Sequence, residues 1–259
     1  MANSQTPIAD MTFWDHLDVL RSSLIRIAVA VVLCGIVAFV MKDMLFTVVL
    51  APRSSDFITY RLIGVDAFSL HLMNTGLTEQ FMIHIRTAMY AGFVVASPYI
   101  LYELFRFISP GLYQNERRYA VWIVGAAYVM FLVGTLVNYF MVFPLTVRFL
   151  GTYQVSPDVA NMLTLQSYVD TLLSMSLVMG IVFELPVVCG LMGRMGLLTD
   201  HFMAEYRRHA IVTILIVAAI ITPTTDIFTL FVVALPIYLL YEVSIVIVRF
   251  TLFAKQENE

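Results

Sequence analysis

Apolar residues in this chain fall into long blocks separated by short polar punctuation, and they do not alternate as strand residues would. Blocks at about 24–41, 80–107, 119–143 and 168–192 approach or exceed the roughly 20 residues a helix needs to cross a bilayer core of about 30 Å. Two more follow at about 209–222 and 227–248. The fifth is short, roughly 20 Å at about 1.5 Å per residue, which implies local bilayer thinning or packing away from lipid. Ahead of the first block, Phe13, Trp14, Leu17, Leu20 and Leu24 recur at helical spacing, with Asp15, Asp18 and Ser22 between them. That pattern predicts an amphipathic helix over 11–23, lying at the interface before the chain turns into the membrane.

The punctuation predicts where the blocks end. A polar stretch from Lys42 to about Thr78 reads as an extramembrane loop with some structure of its own. Ser109-Pro110-Gly111 breaks the chain after the second block, and Glu116-Arg117-Arg118 follows. Pro144 is expected to end the third helix. Arg148 to Gln166, with Ser156-Pro157-Asp158, reads as a second external loop, and Arg194 to His209 as a polar return. Pro223-Thr224-Thr225-Asp226 turns the fifth block back, with Thr225 or Asp226 placed as an N-cap. The expected fold is a single all-α membrane domain over 1–259 with six transmembrane helices, the last two short.

Composition agrees with a lipid solvent. The hydrophobic share is 60% and the charged share 13%, against about 45–50% and about 25% for soluble domains. A net charge of −3 with no basic stripe argues against nucleic acid as a partner. Cys34 and Cys189 lie in apolar runs without metal-binding or redox spacing, so they read as small buried hydrophobes. Acidic residues precede the first block where a signal peptide would be cationic, so that block reads as an uncleaved span. With six spans, Arg21, Arg26, Arg106, Arg117, Arg118, Arg194, Arg207, Arg208, Arg249 and Lys255 fall on one side. Lys42, Arg53, Arg61 and Arg148 fall on the other. The positive-inside rule then puts both termini in the cytoplasm.

Several stretches in shared order resemble the TatC family. His16-Leu17-Asp18-Val19-Leu20-Arg21 is similar to its amino-terminal HL-x-E-L-R motif, and Thr78-Glu79-Gln80-Phe81 to the E-x-F start of its second helix. Phe107 to Tyr113, followed by Glu116-Arg117-Arg118, resembles the F-x-x-P-x-L-x-x-x-E-R-R signature of the first cytoplasmic loop. Phe143-Pro144-Leu145, Phe183-Glu184-Leu185-Pro186, Thr222-Pro223 with Asp226, and Leu235-Pro236 match later helices. The resemblance implies a cupped bundle with a concave groove in the bacterial inner membrane. It implies a receptor for the twin-arginine signal peptides of folded proteins, working with single-span TatA- and TatB-type partners and the protonmotive force. A homo-oligomer within that complex is expected, with no cofactor, no metal and no catalytic residue.

The chemistry of the candidates follows from this. Two guanidinium groups, never uncharged, favour carboxylate acceptors shielded from screening. Glu116 is the first candidate for that role, with Phe107, Pro110 and Arg117 shaping the loop; the plain alternative is a Glu116 paired with Arg117 or Arg118. The family glutamate is replaced here by Val19, which accepts no hydrogen bond. Asp15 shares the Val19 face one turn earlier and is expected to supply the missing charge, with Asp18 second. Both also fit as plain interfacial residues. Glu184 is a carboxylate inside an apolar span, a costly placement that marks a cavity, a partner or a proton path. By resemblance it serves partner docking or transport with Thr222, Pro223 and Asp226. A proton-coupled small-molecule transporter using Glu184 is the rival reading, and genome context beside a TatA-type gene would separate the two. An intramembrane enzyme lacks any supporting motif. Arg86 is expected to snorkel or to pair with Glu79 or Asp66, and Glu103 with Arg106 on the helix surface. Glu242 is expected to be an interfacial anchor.

Overall fold

The computed structural model describes residues 13–64, 68, 70–108, 120–154, 156, 162–222 and 226–256. The helices are α1 (Phe13–Val40), α2 (Lys42–Leu50), α3 (Ile58–Ile63), α4 (Glu79–Ile108), α5 (Ala120–Val137), α6 (Phe143–Thr152), α7 (Leu165–Val182), α8 (Leu185–Arg194), α9 (Asp200–Glu205), α10 (Arg207–Ile221) and α11 (Ile227–Gln256). Five helical segments are long and apolar enough to cross a membrane: 17–40, 79–107, 121–152, 165–194 and 227–251. Of the last two helices, both expected to be short, α10 is so, with 15 residues and about 22 Å of rise, but α11 is not, running for 30 residues through Pro236. Large apolar side chains such as Leu33, Val40, Val121, Ile220 and Phe231 stand exposed on these helices, as lipid-facing positions do.

Where lipid and helix are equally apolar, helices associate by close backbone approach and packing. Helix α1 runs antiparallel along α4, with Ser23 beside Glu103 at one end and Phe39 stacked on His84 at the other. Between these contacts a Cβ on Gly92 would come within 2.5 Å of the Gly35 nitrogen. Helices α5 and α7 cross in the same way, since a Cβ on Gly134 would meet the Met179 carbonyl oxygen at 2.7 Å. The main core joins α7, α10 and α11 through Met175, Met179, Ile214, Ala218, Val233 and Ile237.

Two expectations about boundaries need correcting. The amphipathic start of the chain is no separate helix: α1 is continuous from Phe13 to Val40. Its polar residues Asp18 and Ser22 are exposed on the helix and interrupt none of its backbone bonds. Pro144 does not end the third helix either. A π-helical turn, Asn138–Val142, precedes it and α6 carries the chain on to Thr152. Proline lacks an N–H, so the Phe140 carbonyl four residues earlier loses its helical donor; the Thr59 hydroxyl donates to that carbonyl instead.

The segments between α1 and α4 and between α6 and α7 fold against each other. Leu72 and Met73 pair in parallel with Leu163 and Thr164. Glu79 joins both segments. Its Oε2 accepts the backbone N–H groups of Thr75 and Gly76 at 3.0 and 2.7 Å, and its Oε1 that of Gln166 at 3.2 Å. The buried Tyr60 hydroxyl donates to the carbonyls of Pro52 and Pro144, both at 3.0 Å, and burial pushes this phenol well above its ordinary value.

Candidate functional site

Antiparallel packing of α1 on α4 brings the signature segment of α1 and the end of α4 to one end of the molecule. Asp18 and Arg21 are exposed on the second and third turns of α1, and Asp15 lies on its first turn. Phe107 is half-buried at the end of α4, at the brink of the loop that carries Pro110, Glu116 and Arg117. Those three loop residues lie outside the described residues.

Between the two helices at this end sits a cluster that sequence reasoning missed. Glu103 is 2% exposed. Ser23 Oγ donates to its Oε2 at 3.0 Å and the Tyr99 hydroxyl to its Oε1 at 3.0 Å. Arg26 Nη2 stands 3.5 Å from Oε2, and Arg106 Nη1 4.0 Å from Oε1. The expected pairing of Glu103 with Arg106 is present at 4.0 Å, but its placement on the surface is corrected: the carboxylate points inward at α1, and its nearer cation is Arg26. The reason is the register of the pair. Val19, Ser23 and Arg26 recur at helical spacing on α1, and α4 presents Tyr99 and Glu103 to that stripe. A charge this deep persists only when paired and hydrogen-bonded, and here it is both.

Glu184 lies in a turn between α7 and α8, with Pro186 in the first turn of α8. Its Oε1 is buried and has no hydrogen-bond partner among the described residues. Thr222 is buried at the carboxyl end of α10. Asp226 caps α11, its Oδ1 accepting the Thr229 N–H at 2.7 Å, while Pro223 and Thr225 lie outside the described residues. The core thus brings α10 and α11 against α7 near Glu184.

The TatC family model, described as Sec-independent protein translocase protein, matches residues 15–236. A protein of that name from Blattabacterium sp. subsp. Periplaneta americana is 33% identical over 253 residues, covering 92% of this chain and 95% of the relative. The Bacillus subtilis protein TatCy is 30% identical, covering 93% and 89%. A crystal structure of the twin arginine translocase receptor TatC superposes with a TM-score of 0.76 at 31% identity, covering 91% of this chain and 99% of that one. The chain belongs to the TatC family.

This TatC chain is therefore an all-α, multi-pass membrane protein of the protein-transport class. Its other ion pairs stitch polar segments to the helices. Arg86, expected to snorkel or to pair with Glu79 or Asp66, donates to both carboxylate oxygens of Asp170 on α7 at 3.1 and 3.0 Å; Glu79 is turned to the backbone of its own loop, and Asp66 lies outside the described residues. Glu242 ties α11 to the start of α10, accepting from Arg207 at 2.9 Å and from the Tyr238 hydroxyl at 3.0 Å. Asp200 on α9 accepts from Arg249 Nε at 3.0 Å, and this bond holds its carboxyl below the usual aspartate range. Cys34 and Cys189 are free thiols in half-buried positions. Among the described residues no three His, Cys, Asp or Glu side chains converge as metal ligands.

Proposed function

We propose that this TatC protein is the membrane receptor for twin-arginine signal peptides, with six spans and both termini in the cytoplasm of the bacterial inner membrane. The observation that carries the reading is the antiparallel α1–α4 pair. It sets the signature segment at 15–21 beside the end of α4, from which the Glu116 loop departs. A peptide bearing two arginines would meet both segments at once, and simultaneous engagement is what distinguishes a pair of guanidinium groups from one.

Glu116 is the principal acceptor in this reading, assisted by Asp15 or Asp18 on α1, with Phe107, Pro110 and Arg117 shaping the loop. Val19 faces the α4 stripe and offers no acceptor, so the second charge has to come from another α1 position. Glu184, Thr222, Pro223 and Asp226 serve docking of TatA- or TatB-type single-span partners, or the transport step itself. Transport of the folded cargo is driven by the protonmotive force, and copies of the chain assemble within the complex. The buried, unpartnered Oε1 of Glu184 supports that role, because such a group awaits a donor from a partner or a proton.

The test is in-membrane crosslinking of a twin-arginine signal peptide to the protein, comparing wild type with Glu116→Ala and the RR peptide with a KK variant. Crosslinking that requires both arginines and Glu116 is the expected result. Equal crosslinking by RR and KK peptides, indifferent to Glu116, would remove the recognition account.

A further inference from the structure

The segment between α1 and α4 lies outside the spans, yet its two helices turn apolar faces outward. On α2, Met44 and Val48 stand one turn apart and exposed; on α3, Ile58 and Leu62 do the same, Leu62 being 82% exposed. Paired apolar side chains held out on successive helices mark a surface that meets something apolar.

The ties on the inner faces set the level of both helices. Tyr139 donates to the Val48 carbonyl at 2.7 Å, at the end of α2. The Thr59 hydroxyl on α3 donates to the Phe140 carbonyl, and Phe57 stacks on the Phe140 ring with centroids 5.7 Å apart. The third span begins at Val121, so Phe140 lies about 19 residues along it, or about 28 Å of helical rise. That is the far edge of a hydrocarbon core of roughly 30 Å.

The apolar surface also continues from the spans onto this segment. Val48 shares a crevice of about 410 Å³ with Val95, Leu136 and Phe140, which are exposed on the spanning helices. Among the described residues no charged side chain lines it. On α3, helical position sets Ile58, Arg61 and Leu62 on the face opposite the buried Thr59 and Tyr60. The chain leaves α3 through Gly64, at a φ of 68°, and Phe68 meets the Tyr60 ring edge-on at 4.8 Å, on the side of α3 away from Leu62.

We propose that α2 and α3 form an interfacial collar, seated at the boundary between headgroups and acyl chains of one leaflet. Met44, Val48, Ile58 and Leu62 enter the acyl region, and Arg61 extends to the phosphates. The partner is the phospholipid surface as a whole. Level and continuity favour it over a second copy of this chain, because the four side chains extend the lipid-exposed surface of Leu136 and Phe140 at the depth where the core ends. With the orientation proposed above, the leaflet is the outer one. The collar itself depends neither on that orientation nor on signal-peptide recognition.

The experiment uses the full chain with Cys34 and Cys189 replaced by alanine, reconstituted into phosphatidylcholine vesicles. A nitroxide is attached in turn to Met44→Cys, Ile58→Cys and Leu62→Cys. Leu136→Cys is the lipid-facing reference, and Asn74→Cys, on the turn before α4, the aqueous one. All five positions are exposed, so the fold should survive, and helical circular dichroism checks that it does. Electron paramagnetic resonance then reads collisions with oxygen, which concentrates in lipid, and with a water-soluble nickel chelate. Labels at 44, 58 and 62 are expected to shift toward oxygen as the label at 136 does, and the label at 74 toward the chelate. A preference for the chelate at 58 and 62 would put α3 in water and overturn the collar. Shielding from both reagents, with dipolar broadening between labels, would overturn it as well by identifying a second copy of the chain as the cover.

Discussion

Deleting the charge of Arg26 should harm this protein more than deleting the charge of Glu103, although the two form one ion pair. The asymmetry comes from burial: Glu103 is 2% exposed at its side chain and Arg26 40%. In Glu103→Gln the amide oxygen still accepts from Ser23 or Tyr99, and Arg26 turns to water, so the expected loss is about 1 kcal/mol. In Arg26→Gln the buried carboxylate keeps its Ser23 and Tyr99 donors, but its one remaining cation among the described residues is Arg106, which is 4.0 Å away and 58% exposed. Removing one partner of a fully buried pair costs 3–5 kcal/mol, and the partial exposure here puts the expectation at about 3 kcal/mol. The double variant leaves two neutral amides able to bond each other, with an expected loss of about 2 kcal/mol and hence a coupling of about 2 kcal/mol between the sites. The assay is denaturant-driven unfolding of all four proteins in one detergent, read by helical circular dichroism. Additive losses, or Glu103→Gln worse than Arg26→Gln, would refute the argument that a buried anion governs the α1–α4 contact at this end.

Two further outcomes test other joints of the fold. Thr59→Val keeps the shape of the side chain and removes the hydroxyl donor to the Phe140 carbonyl beside the π turn; the expected loss is about 1–2 kcal/mol in the same unfolding assay, with no effect from Thr59→Ser. Asp200 has a folded pKa held below its unfolded value by the Arg249 hydrogen bond. Its stabilising contribution is therefore present above the unfolded aspartate value of about 3.9 and disappears as pH falls through the folded value. The gap in melting temperature between wild type and Asp200→Asn should hold above about pH 3.9 and narrow as pH falls below it, and a constant gap would dismiss the pair as a source of pH dependence.

The spans were legible because crossing a bilayer demands length and apolarity, and both are properties of contiguous residues. Asp226 was legible as a cap for a similar reason: it stands three residues before the N–H it accepts. What the sequence hid depends on which face of a helix meets which neighbour. Within an apolar helix the hydrophobic pattern has no preferred side, so nothing marked Glu103 as inward, and Arg106 three residues on was the only visible cation. Arg86 found Asp170, 84 positions away, across a helix pairing that no local pattern encodes. Pro144 misled for a different reason. The rule that proline stops a helix assumes that its orphaned carbonyl stays orphaned, and here Thr59 on the distant helix α3 supplies the donor. Of the candidate site, the α1 segment was read from its resemblance to a family motif, and Glu184 from the oddity of a carboxylate inside an apolar span. The Ser23–Arg26–Glu103 cluster had one available signal, a serine and an arginine three residues apart on a helix otherwise turned to lipid.

The two helix pairs divide the molecule by stiffness. Helices α1 and α4 touch from Ser23–Glu103 through Gly35–Gly92 to Phe39–His84, a contact with no break along it, so a force at one end is transmitted to the other as rigid-body motion. Helices α7 and α8 are interrupted at Glu184, where a proline follows and a carboxylate oxygen has no hydrogen-bond partner among the described residues. A turn of that kind is where backbone angles change at low cost, and any group that bonds the free oxygen alters the balance between bent and straight forms. In the receptor reading proposed above, the α1–α4 pair would hold a bound peptide in fixed geometry, while the α7–α8 joint would respond. A partner helix that donates to Glu184, or a proton taken up there, would act on the joint and leave the α1–α4 end undisturbed.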